Sequence, residues 1–175
     1  RIYARDCSIR VLEPSEKNEF LDRNHLQGKD SSMLGVGLFD RNGVLVSVMT
    51  FCEPRKALNS SGKSGVVELS RFANLLDTVV VGGFSKLLAN CLPMLRGRYS
   101  ELISYANLRY SQGDVYEKNG FELIDVSDPS YWYFKENSTK LFHRYNFRKQ
   151  VLEKKLESFD PNLSEYQNMR NNGYH

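Results

Sequence analysis

Up to Lys135 the apolar residues fall into short alternating or continuous runs, separated by polar stretches and by two segments of helical spacing. Cys7–Leu12 alternates, with Cys7, Ile9 and Val11 against Ser8, Arg10 and Leu12, and suits a first strand. Pro14-Ser15 then opens a helix of about three turns whose stripe carries Phe20 and Leu21 and which stops near Asn24–Gly28. Leu34–Asp40 and Val44–Phe51 are apolar runs joined through Asn42-Gly43, a short-range hairpin signal. Residues Glu53–Gly65 are polar, rich in Ser, Gly and Lys, and read as a mobile loop. The stretch around which the chain is organised follows. It comprises a strand at Val66–Phe72, a glycine-opened helix from Val81 to Leu88, a strand at Leu102–Ala106 and a short helix closing on Val115–Phe121. Strand, helix and strand of this length form a right-handed crossover, which sets the two strands parallel.

Phe121–Val126 and Tyr131–Lys135 read as two further strands turned by Asp128-Pro129-Ser130. From Leu141 the character changes. Arg144, Arg148, Lys149, Lys154 and Lys155 surround Tyr145 and Phe147, and Val151, Leu152 and Leu156 follow at helical spacing, which predicts a basic amphipathic helix. Beyond Phe159 the polar sequence reads as a loosely attached tail. The order is therefore β-α-β-β-β-α-β-α-β-β plus a basic helix: an α/β fold with one mixed sheet over residues 1–140 and a basic extension over 141–175. Leu102–Ala106 is expected inside the sheet, with Ala106–Ser111 at a splay between parallel strands.

Composition narrows the class. At 175 residues and 41% hydrophobic the chain can bury a proper core, and no run approaches a membrane span of about 18 apolar residues. Cys7, Cys52 and Cys91 are odd in number and widely spaced, so buried thiols in a reducing, cytoplasmic setting are expected, and no spacing suggests a metal site. The chain starts at Arg1 with no visible signal peptide, which suggests a domain cut from something longer. A net charge of +3 indicates no nucleic-acid partner by itself; the distribution does, through the basic residues interleaved with aromatics after Leu141. That segment is either a solvated helix face or one that tracks phosphates.

Three features could carry chemistry, and a fourth only imitates one that does. Amides at Gly82, Gly83 and Ser85 could hold an anion at a helix start, or the glycines serve close packing. Tyr116 offers a phenol, or packs in the core. His25, at a helix exit, is an acid–base candidate or a capping residue. Ser61-Gly62-Lys63-Ser64 imitates the end of a P-loop, but Ala57 stands where the motif needs its first glycine.

Val115-Tyr116-Glu117-Lys118-Asn119-Gly120-Phe121 is similar to the Leu-Tyr-Glu-Lys-x-Gly-Phe helix end of GNAT acyltransferases, and the element order resembles theirs. Glu68-Leu69-Ser70-Arg71 and Tyr105-Ala106-Asn107 look like the Glu-Leu-x-Arg and Tyr-Ala-Asp segments of the Mom branch of that family, phage proteins that modify DNA bases, and of related nuclease-attached domains. The resemblance implies an acetyl-CoA or other acyl-CoA cofactor, a DNA partner, a covalently attached nuclease and the host cytoplasm. It also implies a pocket shared by Arg71, Asn107 and Tyr116, with Tyr116 as general acid. Two departures accompany it. Val79-Val80-Val81-Gly82-Gly83-Phe84 differs from the family's pyrophosphate loop, and Asn107 replaces an aspartate. An amide in place of a catalytic base would lose about 10²–10⁴ in rate. The expectations are thus an enzyme transferring an acyl group to a DNA base, an inactive DNA-targeting module of the same shape, or an ordinary N-acetyltransferase.

Overall fold

The chain enters as β1 (Ile2–Tyr3) and a 3-10 turn at Ala4–Asp6 before β2 (Ser8–Val11). The structure, a computed structural model, describes residues 1–54, 64–127, 131–138 and 140–175. Ser61-Gly62-Lys63 and Asp128-Pro129-Ser130 lie outside the described residues. Two units separate, Arg1–Glu122 and Leu123–His175.

In the first unit, α1 (Pro14–Asn24) begins with proline, whose fixed φ and missing N–H suit a first helical position. It buries Lys17, Phe20 and Leu21. The hairpin forms as expected from β3 (Leu34–Phe39) and β4 (Leu45–Cys52). The Asp40 carboxylate holds its turn by accepting from the Asn42 and Val44 amides, both at 2.9 Å. β5 (Val66–Asn74) pairs antiparallel with β4, and β6 (Val80–Val81) pairs parallel with β1. After α2 (Gly83–Leu95), β7 (Glu101–Ser104) returns parallel to β5, and α3 (Asp114–Glu117) follows.

The result is a mixed sheet, ordered β2-β3-β4-β5-β7, with apolar clusters on both faces. One gathers Leu38, Phe51, Leu69, Phe84 and Leu87 beneath α2; the other gathers Leu21, Val48 and Ala73 beneath α1. The expected α/β class and parallel crossover hold. The position of β7 does not: among the described residues it is an edge strand, because Phe121–Val126 forms no strand. In that segment the Asp125 carboxylate takes the Val126 amide at 2.7 Å, and Leu123 and Ile124 stand exposed.

The second unit departs furthest from expectation. β8 (Trp132–Phe134) pairs antiparallel with β9 (Leu141–His143), where a helix was expected to begin. Two aromatic-rich runs this near in sequence close a hairpin at small entropic cost. In place of one amphipathic helix come a 3-10 turn (Arg144–Phe147), a single turn α4 (Lys149–Leu152) and α5 (Glu165–Asn171). The tail is not loose. Ser164 and Gln167 form a capping box on α5, and Met169 and Tyr174 join Tyr133, Phe147 and Leu152 in a separate core. His175 exchanges backbone hydrogen bonds with Phe134 at 2.8 and 3.0 Å. The boundary expected at residue 140 therefore lies earlier, at Glu122, since β8 belongs with the C-terminal residues.

Candidate functional site

The ladder between β5 and β7 ends at Leu69↔Ser104, while β5 continues to Asn74. There the Ser104 hydroxyl donates to the Leu69 carbonyl at 3.2 Å, taking up an acceptor that a continuing β7 would have paired. The parallel strands part at their carboxyl ends, the position where ligands enter open α/β sheets. Past the opening Tyr105, Leu108 and Tyr110 are exposed. Asn107 Oδ1 accepts from the Arg109 backbone amide at 3.1 Å and from Arg109 Nε at 3.3 Å. Its carbonyl thus closes its own turn.

α2 starts at the same end of the sheet, since it follows the carboxyl end of β5. Gly82 caps it at φ +75°, in the left-handed region, and a Cβ on Gly83 would lie 3.0 Å from Val80 Cγ1. The glycine pair is therefore required by the tight entry into the helix. The first turn carries no side-chain cap and no acidic residue, so the amides of Gly83, Phe84 and Ser85 keep the donor character of a helix amino end. Lys86, next along, gives its ammonium to the carbonyls of Ala4 and Cys7.

Tyr116 is half-buried on the α2 face. Its ring meets Phe84 edge-on at 5.6 Å and Phe121 at 5.4 Å, and Phe84 meets Phe72 at 5.1 Å. Its hydroxyl makes no hydrogen bond among the described residues. Arg71 lies on the other face. The β4–β5 register shifts so that Thr50 faces Arg71 while Phe51 faces Leu69, leaving Ser70 as a bulge. Arg71 Nη1 donates to the Ser70 carbonyl at 2.8 Å, and Nε to the Gly28 carbonyl at 3.4 Å, beyond the end of α1. The expected convergence of Arg71, Asn107 and Tyr116 in one pocket does not occur: Arg71 serves the α1 face, Tyr116 the α2 face, and Asn107 its own loop.

Arg71 instead borders a buried polar cluster. Lys17, 3% exposed, donates to Asp30 Oδ1 and the Asp30 carbonyl, both at 2.8 Å, and to Ser32 Oγ at 2.7 Å. Thr50 Oγ1 donates to Asp30 Oδ2 at 2.8 Å. Burial alone would raise the Asp30 carboxyl, but hydrogen bonds from Lys17, Ser32, Ser70 and Thr50 hold it well below the usual carboxylate range. Lys17 reaches this cluster because Gly35 lets its stem lie against β3; a Cβ there would sit 2.8 Å from Lys17 Cδ. His25 is pushed below its ordinary value by burial and by the Arg71 charge. His25 Nδ1 accepts the Gln27 amide at 3.0 Å, so the neutral ring carries its proton on Nε2 and offers no base there. One sequence signal for the cluster existed: Lys17 lies on the stripe of Phe20 and Leu21, where a cation needs a buried partner.

No protein-family model matches the chain, and no curated protein matches it. Solved structures do. A GNAT family N-acetyltransferase from Escherichia coli in complex with CoA is 18% identical over 67% of this chain and 69% of that one, with a TM-score of 0.51. An acetyltransferase from Trypanosoma brucei is 16% identical, covering 71% of this chain and 98% of that one, at 0.52. An aminoglycoside acetyltransferase from a soil metagenomic sample, in complex with sisomicin, is 13% identical over 73% and 96%, at 0.50. The fold is that of the GNAT acetyltransferases. Within that fold β5 and β7 are the parallel pair. The narrower likeness to Mom-type proteins has no counterpart among these three structures. No helix among the described residues is long and apolar enough to cross a membrane.

Proposed function

We propose that the Arg1–Glu122 unit is an acyl-CoA-dependent N-acyltransferase. One observation carries the reading: β5 and β7 part at the end of the sheet where α2 presents uncapped amides. Those of Gly83, Phe84 and Ser85 fit a phosphate of the cofactor, having no carboxylate in their own turn to compete with it. The cofactor would supply an activated thioester, whose C–S bond breaks as the N–C bond to the acceptor forms. Tyr116 Oη, unbonded among the described residues, would give its proton to the leaving thiolate and be restored by the proton that the acylated nitrogen sheds to water. The Asn107 carbonyl is committed to Arg109, so its amide donors orient an acceptor and remove no proton from it. Arg71 fixes the Ser70 bulge against the Gly28 turn on the α1 face.

Ser85→Asp tests this reading. Aspartate in the first turn of α2 favours the helix by about 0.3–1 kcal/mol but repels a phosphate. The thermal midpoint should hold or rise while calorimetric affinity for CoA falls about tenfold or more; unchanged affinity would remove α2 from the site. For the acceptor, a nucleobase amine is the finer reading, favoured by the cation-rich stretch Lys140–Lys155 of the same chain. Labelled acetyl-CoA incubated with DNA and with small amines separates it from an ordinary N-acetyltransferase. Binding of DNA without any binding of CoA would mark a targeting module.

A further inference from the structure

Between Lys140 and Lys155 there are six cationic side chains and one acidic, Glu153. In the first unit four arginines meet carboxylates, Arg10 with Glu16, Arg23 with Glu19, Arg41 with Asp6 and Arg98 with Glu53, while Arg5 and Arg109 lie over the Tyr3 and Tyr110 rings. None of Arg144, Arg148, Lys149 and Lys154 makes such a pair among the described residues. The two arginines lie over tyrosine rings instead, Arg144 at 4.6 Å from the Tyr131 centroid and Arg148 at 3.7 Å from that of Tyr145. Glu165 accepts from the Tyr131 and Tyr133 hydroxyls at 3.3 and 3.0 Å.

We propose that this face, centred on Arg144 and Arg148, binds the phosphate backbone of duplex DNA without reading its sequence. A guanidinium held over a phenol ring loses little further freedom when it meets a phosphate in bidentate fashion. Unpaired surface cations repel one another, and a polyanion relieves that repulsion while releasing its own counterions. The stacking also decides which part of a nucleic acid is met. Tyr145 carries its own guanidinium on one face and Phe147 is buried in the core of the unit, so unstacked bases find little platform here. Lys155 leaves the expected phosphate-binding set: its Nζ donates to the Asn146 carbonyl at 2.6 Å and lies 5.2 Å from the Phe147 centroid. The contacts to count are Arg144, Arg148, Lys149 and Lys154.

This inference does not depend on acyl transfer, and its test omits CoA. The full chain is titrated against labelled duplexes of unrelated sequence, against a single strand and against phosphatidylserine vesicles, across salt concentrations. Duplexes should bind alike and more tightly than the single strand or the vesicles. An Arg144→Gln, Arg148→Gln double variant should bind about tenfold or more weakly, with the slope of log affinity on log salt smaller by about 1.8. Tyr145→Leu keeps every charge while removing the stack, so its slope should stay and its affinity fall several-fold. An unchanged slope in the double variant overturns the proposal, as does preference for the single strand or for vesicles. Circular dichroism of each variant shows that a lost affinity is not a lost fold. Loss of CoA binding with these slopes intact would overturn the acyltransferase reading alone.

Discussion

The two units handle charge in opposite ways. The first takes Lys17 and Asp30 out of water, with side chains 4% and 8% exposed, and satisfies them with Ser32 and Thr50. The second leaves Arg144 and Arg148 at the surface, held by aromatic rings rather than by carboxylates. A buried pair must be complete, because desolvation penalises any member left alone, and it thereby fixes where the chain between Gly28 and Ser32 sits. An exposed cation on a ring contributes little to folding and stays available for a partner.

The widest gap should appear when that buried pair is broken. Asp30→Ala leaves Lys17 charged in the interior and should cost about 3–5 kcal/mol, read as a lower denaturant midpoint. Lys17→Met with Asp30→Leu should recover most of that loss, since apolar side chains need no pairing. A cost below about 1 kcal/mol for Asp30→Ala would erase the contrast between the units.

Acid comes next and again acts on the first unit. Burial and the Arg71 charge depress His25 in the folded state, so the unfolded chain protonates first as pH falls below about 6.5. Stability is thus full above that value and declines as pH drops towards the folded value of His25. Urea midpoints at pH 7.5 and 5.5 should differ, and His25→Gln should reduce the difference. Asp30, also depressed, adds its own loss only below about pH 4, where the unfolded carboxyl takes its proton. The smallest effect belongs to the second unit: Arg148→Ala should change stability by no more than about 1 kcal/mol. A larger loss would mean that the stack on Tyr145 is structural and would weaken its reading as a docking face.

Much of the first unit was legible in its periodicities. β2, α1, the β3–β4 hairpin and the β5–α2–β7 crossover stand where alternation, Pro14, Asn42-Gly43 and Gly82-Gly83 put them. The site was less legible, and a single residue shows why. Strict alternation along β5 would place Arg71 with Leu69 on the α2 face, near Tyr116; the Ser70 bulge sends it to the other face, and no local pattern announces a bulge. Beyond Glu122 the difficulty was different. Aromatic and basic residues mixed at short spacing fit a strand as well as a helix, and the choice fell to contacts among Tyr133, Phe147, Met169 and Tyr174, far apart in sequence. Phe147 packs inward, in that separate core.

The pairing of β1 with β6 bears on the order in which the first unit assembles. β2 through β5 each join the strand next in sequence, so none of their pairings spans more than the α1 connection. Ile2↔Val80 and Tyr3↔Val81 instead close a loop spanning the whole meander, after which Lys86 fastens Ala4 and Cys7 to α2. Closing so long a loop costs more chain entropy than closing the turns of the meander, so this pairing is expected to form after them. The short parallel pair is therefore the clasp of the unit, set directly before the glycines that begin α2.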